Sequence, residues 1–515
     1  MSKIAKSAMY LMIVTILSKI LGFGRELVLA SSYGASIYSD AYLIALNIPN
    51  VIFAAIGTAL STTFIPMYYK CNNSNNKNES LNFTNNLLNI VFVLSIILSI
   101  LGFIFTKQIV KVFAVGFKGE ALKITIDFTR ILIFGIIFTS IAEIMKGFLN
   151  ANNEFSIPGI AFGVPFNIII IISIIISAKT NPYILPIGTL IAILSRVLYQ
   201  VPYMKKYGYK YKWSLDFNDE YIKQIIWLVG PVFIGVSVNQ VNAIVDRTLA
   251  STLQSGSISA LNYSSRLNGF VLALFITTIA SVIYPTLSKL SANDNQEKFT
   301  AAIYKSINTV ILLVIPISVG AMVLANPIVR ILFQRGAFDA RATQMTSIAL
   351  VFYSIGTVAF GLRDVLGKVF YSLQDTKTPM VNGAMAMGLN IILNIVLVRY
   401  MGHAGIAFAT SISAIICILL LFNSLKKKIG YFGQDRISKT TIKSLIAAII
   451  MGIITFLTYT FLVSILDIGF ISEVISVGIS VLVGAIIYGI IILLFKVEEV
   501  DMIITVIKDK LKKSK

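Results

Sequence analysis

Apolar residues fall in long, nearly uninterrupted runs separated by short polar stretches. Each run is close to the length at which a helix, rising ~1.5 Å per residue, crosses ~30 Å of hydrocarbon. The runs lie near 8–33, 40–66, 83–106, 124–149, 158–177, 183–203, 221–250, 258–288, 301–324, 342–372, 379–398, 404–424, 441–463 and 472–495. They predict an all-α polytopic membrane protein with about 14 transmembrane helices. Composition agrees: 57% of the 515 residues are hydrophobic and 13% charged, more apolar surface than a soluble core of that length would bury.

The net charge of +20 would suit nucleic acid, but its placement argues against that partner. About 23 Lys and Arg fall in one set of alternating loops plus the termini and about 9 in the other, which is the positive-inside asymmetry. Both termini are therefore expected in the cytoplasm. Lys426, Lys427, Lys428 and the tail "IKDKLKKSK" are expected to anchor that face to anionic lipid. The start, with Lys3 and Lys6 before an apolar run, resembles a signal peptide; Lys19 ends the run without a small-residue cleavage site, so it reads as a retained first span. Cys71 and Cys417 have neither disulfide nor metal spacing, and His403 reads as a bystander.

The chain also repeats itself. "LAS" at Leu29–Ser31 recurs at Leu249–Ser251, Tyr42 corresponds to Tyr263, Glu143 to Asp364 and Pro158 to Pro379, at a nearly constant offset. The pattern predicts two pseudo-symmetric six-helix lobes, 1–220 and 221–425, plus two extra C-terminal helices in 426–495 and a basic cytoplasmic tail at 496–515. Six is an even number of crossings, so both lobes run the same way through the bilayer, an arrangement found in transporters.

Charged residues inside the spans carry the functional signal, because each would cost ~2.5–3.5 kcal/mol if left facing lipid at mid-depth. Arg25 and Arg266, from the first and eighth spans, both fall ~12 Å below the external face, with Lys19 near the midplane. Adjacent residues on a helix point about 100° apart, so Arg25 is not expected to face Glu26, and Arg266 has no acid within four residues of sequence. Such arginines suit an anion, phosphate above all, through their planar fork of donors. Gly22 and Gly24 are expected to let the first helix bend or unwind beside them. Lower down, Glu143 and Lys146 correspond to Arg363, Asp364 and Lys368; these groups either close an inner gate across the lobes or snorkel to the headgroups. Asp246, Asn390, Asn394 and Thr410 offer hard oxygen atoms that would either hold a sodium ion or bond helices to one another. The acids needed by a cation exporter are not dominant, and the clustered acids and large soluble loop of a membrane enzyme on polyprenyl phosphates do not appear.

The segments "SKILGFGRE" (Ser18–Glu26), "SGSISALNYSSRLNGF" (Ser255–Phe270), "FQRGAFDARAT" and "YSLQDTKTPM" resemble the MurJ/MviN family of lipid II flippases, within the larger group that holds MATE exporters. The resemblance implies a multi-pass protein of the bacterial plasma membrane, not an enzyme. Such a protein carries undecaprenyl-pyrophosphate-linked disaccharide-pentapeptide from the inner to the outer leaflet by alternating access, for cell-wall synthesis and cell shape. It implies substrate contacts at Lys19, Arg25, Glu26, Asp40 and Arg266, and sodium as the coupling ion at Asp246, Asn390, Asn394 and Thr410, with no other cofactor. The last two helices would form a groove for the polyprenyl tail. Cell-wall synthesis or division proteins are the partners it suggests. A flippase for another polyprenyl-linked glycan, or a MATE-like exporter, is the alternative. The chain departs from the pattern in "NVIFAAIGTAL", which lacks the early basic residues of the second helix, and in Ser265 and Gly269, which flank the Arg266 site.

Overall fold

The computed structural model describes residues 3–72, 77–292, 296–467 and 469–497. Among these residues every regular element is a helix. The elements are α1 (Lys3–Tyr33), α2 (Ile37–Asn72), α3 (Lys77–Ile104), α4 (Thr106–Phe113), α5 (Gly119–Leu132), α6 (Gly135–Ala151), α7 (Ser156–Lys179), α8 (Ile184–Lys206) and α9 (Glu220–Ala250). They continue with α10 (Ser257–Ala292), α11 (Gln296–Val323), α12 (Ala325–Phe333), α13 (Ala340–Ser372), α14 (Lys377–Met401), α15 (His403–Ile429), α16 (Gln434–Ile465) and α17 (Phe470–Leu494). Ten spans among the described residues are long and apolar enough to cross a membrane, with α5 and α6 together making one of them. The other expected spans fall on α1, α2, α9 and α10, each 31 or 36 residues long. The basic tail lies beyond residue 497, outside the described residues.

The duplication is visible element by element. The series from α2 to α8 recurs as α10 to α15, including the short helices α4 and α12, with α5 and α6 matched by the unbroken α13. The sequence pattern did not predict α4 and α12: they are too short to span, and their apolar residues merge with the ends of the preceding runs.

Contacts divide the chain into two units, one of residues up to Ser259 together with Arg335–Phe338, the other of Ala260–Gln334 and Asp339 onward. Helix α9, which the repeat assigns to the second lobe, packs along α2 and clusters with the first unit. At the two "LAS" motifs the helix ends also meet loop glycines. Ser251, just past α9, accepts the Gly116 N–H on its Oγ at 3.1 Å, and Thr248 donates to the Val112 carbonyl at 3.1 Å. In the other repeat Ser31 accepts the Ala337 N–H on its carbonyl at 2.8 Å. A Cβ at Gly116 would fall 2.2 Å from the Ser251 carbonyl oxygen, and one at Gly336 (φ +59°) 2.3 Å from that of Ser31. Only glycine fits either close approach.

In the first unit the core at the helix ends gathers Phe64, Phe83, Phe148 and Leu149 around Tyr68 and Tyr209. The segment after α8 is held against α3 by three buried asparagines. Asn85 donates to the Lys210 carbonyl at 3.0 Å and accepts the Lys212 N–H at 3.1 Å. Asn86 donates to the Asp216 carbonyl and accepts the Asp216 N–H, both at 2.8 Å. Asn89 donates to the carbonyls of Lys212 (3.2 Å) and Ser214 (3.0 Å). A segment with no helix or strand of its own thus has its main-chain polar groups satisfied by side chains.

In the second unit a core of Phe299, Ile303, Val310, Val314, Phe370 and Leu421 joins α11, α13 and α15. Helices α16 and α17 pack on each other, and α16 lies along α11 where Gly452 meets Val319. Arg330 of α12 forms an ion pair with Glu473 of α17 and donates to Tyr459 of α16 at 3.0 Å. Their other faces stay apolar and exposed, with Ile449, Ile453, Phe456, Ile471, Leu482 and Ile486 among the uncovered residues.

Between α13 and α14, Asp375 accepts from Lys428 Nζ at 2.6 Å and from the Thr378 N–H at 2.9 Å. Lys428, expected to face lipid headgroups, is therefore engaged by a protein acid. These bonds hold the Asp375 carboxyl down at about 2. A depressed acid stabilises the fold above its unfolded pKa of about 4, and that contribution is lost as pH falls toward the folded value. The melting temperature of wild type in detergent is expected to fall between about pH 4 and 2 by more than that of Asp375→Asn; parallel curves for the two proteins would contradict the pairing.

Candidate functional site

The first unit brings together charged groups from four helices. Helix α1 lies against α7, α7 against α8, and α8 against α6. The α1–α7 approach is close because α7 carries Gly163 opposite Ser18, where a Cβ would sit 1.8 Å from the serine Oγ. Gly22 lies beside Asn167 in the same seam. No unwinding occurs at Gly22 and Gly24: α1 runs unbroken from Lys3 to Tyr33.

Arg25 reaches back along this seam. Its Nη2 pairs with Glu26 Oε1 at 2.8 Å, and its Nη1 donates to Asn167 Oδ1 at 3.1 Å. The expectation that neighbouring residues on the helix would not pair is thus corrected. The 100° between their Cα–Cβ directions is bridged by the long arginine stem, once Asn167 fixes the other end of the fork. Glu26 is buried. Lys19 is exposed and joins none of these contacts.

Asp40 lies elsewhere. It is 2% exposed, and its carboxylate accepts the Gly256 N–H at 2.7 Å, the Ser259 N–H at 2.8 Å and the Ser259 hydroxyl at 2.5 Å. The acceptor positions expected for a substrate contact are occupied by the start of α10. Ser39 and Ser259, equivalent positions of the two repeats, hydrogen-bond to each other at 2.9 Å.

On α6, Glu143 pairs with Lys146 at 3.2 Å, so the two members of the expected gate that lie in this unit bond to each other. Arg363 and Asp364 are exposed on α13 of the second unit, and Lys368 sits over the rings of Tyr284 (5.3 Å) and Tyr371 (5.8 Å). Arg266 is also in the second unit, exposed on α10. Two residues on, Asn268 accepts from Thr357 at 2.6 Å, tying α10 to α13.

Of the four expected sodium ligands, three come together. Asn394 donates to Asn390 Oδ1 at 3.0 Å, Asn390 approaches Thr410 Oγ1 at 3.5 Å, and Thr410 donates to the Ile406 carbonyl at 2.9 Å. Asn390 and Asn394 are buried and Thr410 half-buried, so the cluster gathers neutral amide and hydroxyl groups between α14 and α15. Asp246 belongs to the first unit.

Sequence reasoning did not single out Arg196. It lies inside the expected span 183–203, and its guanidinium sits 3.8 Å from the centroid of Phe166 and 4.9 Å from that of Phe162. The available signal was a basic residue in the middle of an apolar run, together with "FGVPF" placing two rings one turn apart.

The family model described as lipid II flippase MurJ matches residues 29–476. A probable lipid II flippase MurJ of Buchnera aphidicola subsp. Baizongia pistaciae is 31% identical over 473 residues, 90% of this chain and 91% of the relative. The lipid II flippase MurJ of Burkholderia cenocepacia is 29% identical, covering 80% and 82% of the two chains. Among solved structures, a lipid II flippase MurJ in an inward closed conformation superposes with a TM-score of 0.79 at 28% identity, over 94% of this chain and 98% of that one. An inward-facing MATE transporter shares the fold at 12% identity and a TM-score of 0.67, over 83% of this chain and 99% of the other.

Proposed function

Because the chain belongs to the MurJ family of lipid II flippases, we propose that it carries the undecaprenyl-pyrophosphate-linked peptidoglycan precursor across the bacterial plasma membrane, with both termini in the cytoplasm. The observation that supports this best is the set of cations built into the apolar first unit, with Arg25 fixed between Glu26 and Asn167. A diphosphate stripped of water needs such preoriented donors, and arginine offers them in a plane.

Translocation runs by alternating access. Arg25 and Lys19 receive the diphosphate from the first unit, Glu26 holds the Arg25 fork, and Arg266 of the second unit is assigned to the same substrate. Asp40 acts as a brace for the start of α10. Glu143 and Lys146, paired with each other, serve the cytoplasmic end of the first unit, and the exposed Arg363 and Asp364 that of the second. The exposed apolar faces of α16 and α17 take the polyprenyl tail, which stays in lipid throughout. Asn390, Asn394 and Thr410 of the second unit would hold sodium, which would supply coupling to the ion gradient. The MATE alternative is disfavoured because a cation exporter would line its path with acids, while Arg25, Lys146 and Arg196 here outnumber Glu26 and Glu143.

The test is complementation. Expressed in a wall-making bacterium depleted of its own flippase, the protein is expected to restore lipid II exposure on the outer leaflet. Well-inserted protein that restores none would turn the reading toward another polyprenyl-linked glycan.

A further inference from the structure

Phe162 and Phe166 stand one turn apart on the same face of α7, and three cations from three other helices are arranged along them. Lys146 of α6 lies 5.0 Å from the Phe162 centroid. Arg196 of α8 lies over both rings. Arg25 of α1 lies 5.8 Å from the Phe166 centroid. The order along α7 is therefore Lys146, Arg196, Arg25. With the termini cytoplasmic, α7 rises from that face, and Phe162 and Phe166 lie ~9 and ~15 Å along it.

The three cations differ in how they are engaged. Arg25 is paired with Glu26 and bonded to Asn167, and Lys146 is paired with Glu143. Arg196 is within electrostatic reach of Glu143, whose carboxylate is taken by Lys146. Among the described residues the Arg196 side chain forms no ion pair and no hydrogen bond, and its Nε–H is buried without an acceptor. Its guanidinium lies instead over the two rings. Stacking of this kind fixes the guanidinium plane while leaving its five in-plane donors uncommitted. An exposed arginine would find water and a structural one would find a carboxylate or carbonyl. A stacked, donor-rich edge inside an apolar helix pair matches the bidentate geometry of a phosphate oxygen pair.

We propose that Arg196 binds the diphosphate of the substrate directly, at a station the anion meets between the cytoplasmic face and Arg25, and that Phe162 and Phe166 are positioning residues for it. This rests on the flippase reading and deepens it: the first unit holds the anion at two successive depths. The site would take a lipid diphosphate and be indifferent to the same lipid without phosphate.

The experiment uses full-length protein in nanodiscs and measures binding of undecaprenyl diphosphate against undecaprenol. Arg196→Gln and Arg196→Lys are expected to weaken diphosphate binding by about tenfold or more and to leave undecaprenol binding unchanged, with lysine failing to rescue because it lacks the planar fork. Phe166→Leu is expected to weaken it less. Wild-type diphosphate affinity in a folded Arg196→Gln protein, with loss in Arg25→Ala, would overturn the role of Arg196 alone. Full rescue by lysine would overturn the bidentate geometry. No preference of the wild type for diphosphate over undecaprenol would overturn the flippase reading and this inference together.

Discussion

Arg25→Ala protein is expected to reach the membrane and expose no lipid II above the background of flippase-depleted cells. Truncating one partner of a desolvated, hydrogen-bonded charge pair costs about 2–5 kcal/mol, which in binding terms is about thirtyfold to several thousandfold. Two effects are mixed in that number, because the buried Glu26 also loses its ion pair. The double variant Arg25→Ala/Glu26→Gln separates them. Removing the acid's charge should recover most of any lost thermal stability, since the desolvated carboxylate is the source of the strain, whereas lipid II exposure should stay absent. Arg25→Lys should retain the ion pair but deliver one point charge in place of a fork, and give intermediate exposure. Full exposure by the folded double variant would remove Arg25 from the substrate path.

The second large effect concerns stability rather than transport. Asp40→Ala removes the acceptor for two main-chain N–H groups and one hydroxyl at the start of α10. Leaving buried donors unsatisfied costs about 1–3 kcal/mol each, and loss of an N-terminal cap alone costs up to about 2 kcal/mol. A fall in melting temperature of several degrees is expected on those magnitudes. Asp40→Asn keeps a carbonyl oxygen and should recover part of the loss, with lipid II exposure per folded molecule close to wild type. A stable Asp40→Asn protein with no transport would instead place the carboxylate charge in the substrate path.

The membrane architecture was legible because it is written in run length. About twenty apolar residues in a row can do little else, and a repeat that keeps its prolines and charges in register fixes the order of helices. What was not legible depended on reach and neighbours. The Arg25–Glu26 pair could not be read from helix angles, since the arginine stem spans the gap only once Asn167, far away in sequence, holds the guanidinium. Asp40 was assigned to the substrate through the resemblance, and nothing local marks its observed partners, the backbone of Gly256 and Ser259, more than two hundred positions on. Arg196 was hidden by a similar cause: its significance lies in two rings of another helix and in the acids that neighbouring cations have already taken. The assignment of α9 to the second lobe followed the repeat, whereas its packing along α2 is a tertiary contact that the repeat does not encode.

The asparagine clasp on α3 has a consequence for how the sequence between α8 and α9 can drift. Asn85, Asn86 and Asn89 grip main-chain carbonyls and N–H groups, which every amino acid except proline supplies alike. Composition is therefore constrained mainly at Tyr209 and Tyr211, whose hydroxyls donate to Asn85 and Asn89, while the length of the segment is constrained throughout. A single inserted residue would shift the successive main-chain partners out of step with a helix whose spacing cannot stretch. At the positions held only through main-chain atoms, such as Lys210, Lys212 and Ser214, substitution is cheap and insertion costly, the reverse of the usual behaviour of a surface connection.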